Sequence, residues 1–131
     1  MARLVFFALI LMASGKLIAA PIYLDCNVQS SDETHVFSVT LDEATKKITH
    51  RKQNGNAFNA EGFFSADEIA YKNVIGVSGL LITHQYVINR VDLSVTYLFR
   101  TEAARASLGV PPKEIVSRGS CVVVQPTERQ I

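Results

Sequence analysis

The chain has 131 residues, with 13 Lys+Arg against 12 Asp+Glu and a formal net charge of +1. That balance excludes a polyelectrolyte built to grip phosphate backbones, and the length excludes a large hydrolase or a dinucleotide domain with a substrate domain beside it. Its two cysteines lack a C-x-x-C spacing, which argues against a thioredoxin-like redox enzyme.

The first segment reads as an address label. Arg3 supplies a positive start, Leu4 to Ala13 form an unbroken apolar run, and small residues follow at Ser14, Gly15, Ala19 and Ala20. This is the order of a secretory signal peptide. A spanning helix needs about 20 apolar residues in succession. Here Lys16 interrupts the run, at a cost of roughly 2.5–3.5 kcal/mol near a helix centre. Lipidation at Cys26 is rejected, because Leu24 and Asp25 precede it where the peptidase needs a small residue. Residues 1–20 are therefore expected to be removed, with the cut after Gly15, Ala19 or Ala20. Residues 21–131 form a single exported β domain, periplasmic or secreted, without stable membrane insertion once the label is gone. Without Arg3 and Lys16 its balance is 11 cations against 12 anions.

The mature chain carries the period of strands. "PIYLDCNVQ" predicts the first. In "HVFSVTLD" Phe37, Val39 and Leu41 alternate with Ser38, Thr40 and Asp42, which sends the apolar set to one face. Asp42 to Lys46 reads as a turn and Lys47 to Lys52 as the returning strand. Asn54–Gly55 is a hairpin signal, because both residues tolerate positive φ. A further strand falls within Asn56 to Phe64, and a short one around Glu68 to Lys72. "LLITHQYVINRVDLSVTYLFR" predicts two longer strands that turn at Val91 to Leu93, rich in residues suited to a pleated surface. "TEAARASLGVPP" predicts a short helix with Thr101 as its cap, stopped by Gly109 and the prolines. "SRGSCVVVQP" predicts the last strand.

The expected fold is mainly β, a small antiparallel barrel or sandwich of about seven to eight short strands with one short helix. Two cysteines far apart in an exported chain predict one disulfide, Cys26–Cys121. The bond requires Cα atoms within about 7 Å, so the first and last strands must be neighbours and the bridge a clasp on the barrel seam.

Chemistry-bearing residues are sparse. His35, His50 and His84 lack metal-ligand spacing and read as surface or strand-end histidines, so no metal and no cofactor is expected. "GVSGL" departs from the G-x-S-x-G elbow by one residue and reads as a flexible loop. Asp42–Glu43 and Asp67–Glu68 are adjacent pairs whose side chains point to opposite faces of a strand, unlike the facing carboxylates of a glycosidase. "KKITHRK" places Lys46, Lys47, Arg51 and Lys52 around His50, either as a grip on an anionic partner or as the guard of an edge strand. Of Phe63 and Phe64 only one can face the core. Lys46, Lys47, Arg51, Lys52, Phe64, Ser78 and Gly79 are the candidate partner contacts, and no residue is assigned as catalytic.

The early cysteine, the "FSVTLDEATKKI" strand, the "YVINRVDLSVTYLF" hairpin and the late "GSC" resemble small uncharacterised exported proteins of Gram-negative bacteria. That resemblance implies a disulfide-clasped β domain without an established activity. Size, export and layout are also similar to the periplasmic c-type lysozyme inhibitors, whose inhibitory loop carries Ser-Gly-x-x-Tyr. Here Ser78–Gly79 is followed by Leu80, Leu81 and Ile82, so the tyrosine is missing. The sequence therefore supports an exported, monomeric, non-enzymatic binding module for a protein or envelope glycan, not for nucleic acid. The alternatives are an inhibitor of a hydrolase such as lysozyme and a carrier of small apolar ligands.

Overall fold

The computed structural model describes residues 20–125. Residues 1–19 of the predicted leader, with the cleavage points at Gly15 and Ala19, lie outside them. Nine strands follow one another: β1 (Ile22–Gln29), β2 (Thr34–Asp42), β3 (Lys47–Lys52), β4 (Ala57–Glu61), β5 (Phe63–Phe64), β6 (Glu68–Val77), β7 (Leu80–Asn89), β8 (Ser94–Ala103) and β9 (Lys113–Val124). All neighbours pair antiparallel in the order β4-β3-β2-β1-β9-β8-β7-β6-β5. The two outer strands, β4 and β5, are consecutive in the chain and separated by Gly62 alone. The sheet therefore curls until its ends nearly meet, and the result is a nearly closed barrel.

The first and last strands pair as the disulfide argument requires. Cys26 stands opposite Cys121 across β1 and β9, their Cα atoms 4.0 Å apart and their sulfurs bonded. The strand count exceeds the expected seven to eight because the strand predicted within Asn56 to Phe64 is broken at Gly62. A Cβ there would run into the Cδ1 of Ile48, a fully buried core residue, and come within 2.8 Å of the Phe64 ring. Only a residue without a side chain lets β4 turn away from β3 and hand the chain to β6. Gly119 marks a second corner, where β9 begins to pair with β1 as well as β8. A Cβ at that position would strike the Asn27 carbonyl.

The predicted helix is absent from the described residues. Thr101, Glu102 and Ala103 instead extend β8, paired with Ile82, Leu81 and Leu80. What remains is a 3₁₀ turn at Ala106–Leu108, ended by Gly109 at φ 65°. A helix of two turns is marginal without packing, whereas every residue added to β8 gains a ladder partner on β7. The "GVSGL" stretch is likewise no flexible loop. Gly76 and Val77 belong to β6, and Ser78–Gly79, with φ of 51° and 81°, form the two-residue turn of a long hairpin.

The barrel has two unlike ends. At one, the β2–β3, β5–β6 and β7–β8 connections are latched by Arg90. Its guanidinium donates to both carboxylate oxygens of Glu43, at 2.9 and 3.3 Å, and to the Ser65 carbonyl at 2.8 Å. Its backbone N–H donates to the Asp67 carbonyl at 2.8 Å. Above this latch the interior is filled by Leu24, Val28, Val39, Ile48, Ile88 and Val95, all essentially without exposure. The opposite end stays open. No helix among the described residues is long and apolar enough to cross a membrane.

Candidate functional site at the open end of the barrel

Strand register stacks the inner face of β6 to β9 into layers. Tyr71, Tyr86, Tyr97 and Ser117 stand opposite one another across the four strands. One layer nearer the mouth come Asn73, His84, Phe99 and Ile115. Inward positions recur every second residue, so a single pairing register fixes all of these neighbours at once. The three tyrosine rings lie nearly parallel, at 5.0 Å for Tyr71–Tyr86 and 4.7 Å for Tyr86–Tyr97. His84 continues the stack against Tyr97 at an interplanar angle of 2°.

The facing wall comes from β2, β3 and β4. His50 is 1% exposed and lies between the rings of Phe37 and Phe58, at 4.4 and 4.8 Å. Its Nδ1 shares a hydrogen bond of 2.8 Å with the Tyr71 hydroxyl. Burial, with the nearby Lys52 charge second, pushes the His50 pKa down to about 3. His84 makes the equivalent bond to the Tyr97 hydroxyl, at 2.6 Å. Its pKa is lowered by the same two causes, with His35 third. Burial raises the tyrosines: Tyr71 well above its usual value, Tyr86 in the same direction, and Tyr97 to about 12. Neutral imidazoles therefore face protonated phenols, and the polar atoms satisfy one another inside the barrel.

Over these layers two cavities of about 470 and 490 Å³ share His35, His84 and Tyr97. His35 stands edge-on to Tyr97, with ring centres 5.6 Å apart, and its Nε2 lies 3.1 Å from Glu33. The first lobe runs toward β3 and is lined by Phe37, His50 and Tyr86, with Lys52, Gln53 and Asn54 at its rim. The second runs toward the β1–β2 connection and is lined by Asp32, Glu33, Phe99, Ile115 and Ser117. The inner face of β6 and β7 continues above the mouth through Ile75, Val77, Leu80 and Ile82 as an apolar wall, with Ile75 and Val77 exposed.

The sequence candidates do not form one patch. The "KKITHRK" strand is no edge: β3 pairs with β2 and β4 on its two sides, so the guard reading falls. Lys46 occupies the β2–β3 turn at the latched end, at φ 58°, beside Lys47. Arg51 reaches the Gly55 carbonyl at 3.4 Å, while Lys52, opposite Phe37, faces the first lobe. Phe64 packs on the core, and Phe63 is the exposed ring of the pair, at 69%. Ser78 and Gly79 cap the hairpin, whose tip is tied down by a 2.8 Å bond from the Ala104 N–H to the Gly79 carbonyl. Of the histidines only His35 is a strand-end residue; His50 is core and His84 lines the mouth. Among the described residues no three His, Cys, Asp or Glu side chains converge as metal ligands. Comparison with protein-family models, curated proteins and solved structures returned no match.

Proposed function

We propose that the chain is an exported, non-enzymatic binding domain that receives a small, ring-bearing ligand in the open end of its barrel. The observation that carries this reading is the contrast along the barrel axis. The interior is packed solid above the Arg90 latch and opens at the other end into two adjoining lobes walled by Phe37, Tyr86, Tyr97, His84 and Phe99. Cavities of about 300–1,000 Å³ with apolar walls and a few polar groups are the usual form of small-molecule sites. The protonation states favour binding over chemistry. A general acid or base works best with a pKa near the operating pH, and His50 and the tyrosines are shifted away from neutrality. The disulfide fits an oxidising compartment and so supports export.

Titration with the neutral fluorophore N-phenyl-1-naphthylamine tests the reading. The wild type is expected to bind one molecule saturably, and His35→Trp, which fills the opening shared by both lobes, to lose that site. Absence of saturable binding to the wild type overturns it. One observation favours a second reading, inhibition of a hydrolase. The β6–β7 hairpin projects beyond the mouth with Val74, Ile75 and Val77 exposed. On that reading wild-type protein slows a c-type lysozyme, and lengthening the Ser78–Gly79 turn abolishes the effect without altering the fold.

A further inference from the structure

We propose that the first lobe selects a planar aromatic ligand bearing an acidic group, with the rings held among Phe37, Tyr86 and His84 and the anion on Lys52. This rests on the small-ligand reading of the mouth and names the chemistry it would accept.

Among the described residues Lys52 is the one Lys, Arg, Asp or Glu side chain that lines this lobe. Its position follows from register. It pairs with Phe37, which is buried and inward-facing, so the β3 backbone aims Lys52 at the same interior as Phe37 and His50. Arg51, one residue away, points to the other face. Among the described residues no carboxylate lies within 4.0 Å of the Lys52 ammonium. The carboxylates that do meet a cation are held elsewhere: Glu33 lies against His35, Glu43 against Arg90, and Glu102 and Glu114 against Arg100. Lys52 is thus a cation set at the rim of an aromatic cavity without an internal counterion. Gln53 and Asn54 beside it add uncharged donors.

The second lobe fixes the direction. Asp32 and Glu33 line it and Lys52 does not, so an anion entering there meets like charge. The two lobes impose opposite signs at opposite ends of one mouth, and an acidic group settles on the Lys52 side. Its ring then lies against Phe37, His84 and the edge of Tyr86, whose two faces are taken by Tyr71 and Tyr97, aromatic walls that suit an aromatic guest. The neutral imidazoles of His50 and His84 present no competing charge.

Three matched probes separate the terms: 2-naphthoate, 2-naphthalenemethanol and 2-naphthylmethylamine, which share a ring and differ in charge. Calorimetry on the oxidised protein is expected to find naphthoate at least ~10-fold tighter than the carbinol, the scale of one charge-assisted hydrogen bond, and the amine weakest. Lys52→Gln is expected to erase the naphthoate–carbinol gap while leaving carbinol affinity within about twofold, and Arg51→Gln to leave the gap in place. A carbinol or amine that binds the wild type as well as naphthoate overturns the anion preference and leaves the small-ligand reading standing. So does an Arg51→Gln effect equal to that of Lys52→Gln, which would reduce the preference to general charge. Failure of the three probes together with N-phenyl-1-naphthylamine overturns both.

Discussion

His50 should make this protein lose stability in mild acid. The imidazole is buried between Phe37 and Phe58, and its pKa in the folded protein is about 3 against an ordinary value of 6.5. Because the folded value is the lower, the unfolded chain binds the extra proton first. The stabilising contribution is complete above pH 6.5 and is lost progressively as pH falls toward 3. Each pH unit inside that window is worth up to about 1.4 kcal/mol. Between pH 7 and pH 5 the loss from His50 alone is about 2 kcal/mol, a large share of a typical domain stability of roughly 5–15 kcal/mol. His84 is lowered for the same leading reason and acts with the same sign. Urea unfolding at pH 5, 6, 7 and 8, with the disulfide intact, measures the slope. The control is His50→Phe combined with Tyr71→Phe, so that no hydroxyl is left without its partner. The double variant is expected to lose most of the pH dependence between 5 and 7. Equal wild-type stability at pH 5 and 7, or an unchanged slope in the double variant, refutes the reasoning.

Reduction of Cys26–Cys121, or its replacement by serines, reopens a loop of 95 residues; in the chain-entropy model this costs about 4–5 kcal/mol, read as a lower urea midpoint. Gly62→Ala forces a methyl against buried Ile48 and Gly119→Ala drives one into the Asn27 carbonyl. Each is expected to cost at least about 2 kcal/mol, seen as a fall in Tm, whereas Gly76→Ala, with open space around it, should cost far less. Arg90→Ala removes the hydrogen bond that chiefly holds the Glu43 carboxyl below its ordinary range. An NMR titration is expected to find that carboxyl moving up, with faster amide exchange at the latched end.

Much of the architecture was legible because β structure writes itself as alternation. Phe37, Val39 and Leu41 gave the inner face of β2, and Asn54–Gly55 gave a turn. Two cysteines in a chain that opens like a signal peptide gave the pairing of first strand with last. The errors have physical causes. Thr101 to Ala103 carry helix propensity, but β7 offers ladder partners that a local reading does not see. Gly62 divides a strand for a reason that lies on β3, at Ile48. The site was the least legible part. His50, His84 and three tyrosines are spread over β3, β6, β7 and β8, and only the strand register and the curl of the sheet gather them. The signal that did exist was the two-residue spacing of His84 and Tyr86 and of Tyr97 and Phe99, which puts each pair on one face. Lys52 was singled out for its charge, but its inward aim depends on the pairing with Phe37. Arg90 gave no signal at all, because its partners stand far away in the chain.

Joining the opening strand to the closing one by sulfur also changes what a protease can do to this domain. A cut in any one hairpin of an open meander would free a fragment. Here every hairpin lies between Cys26 and Cys121, so a single nick leaves both remnants tethered, each at high local concentration beside the edge it left. The domain behaves as a hoop: one break opens it, and only a second break, or a reductant, takes it apart.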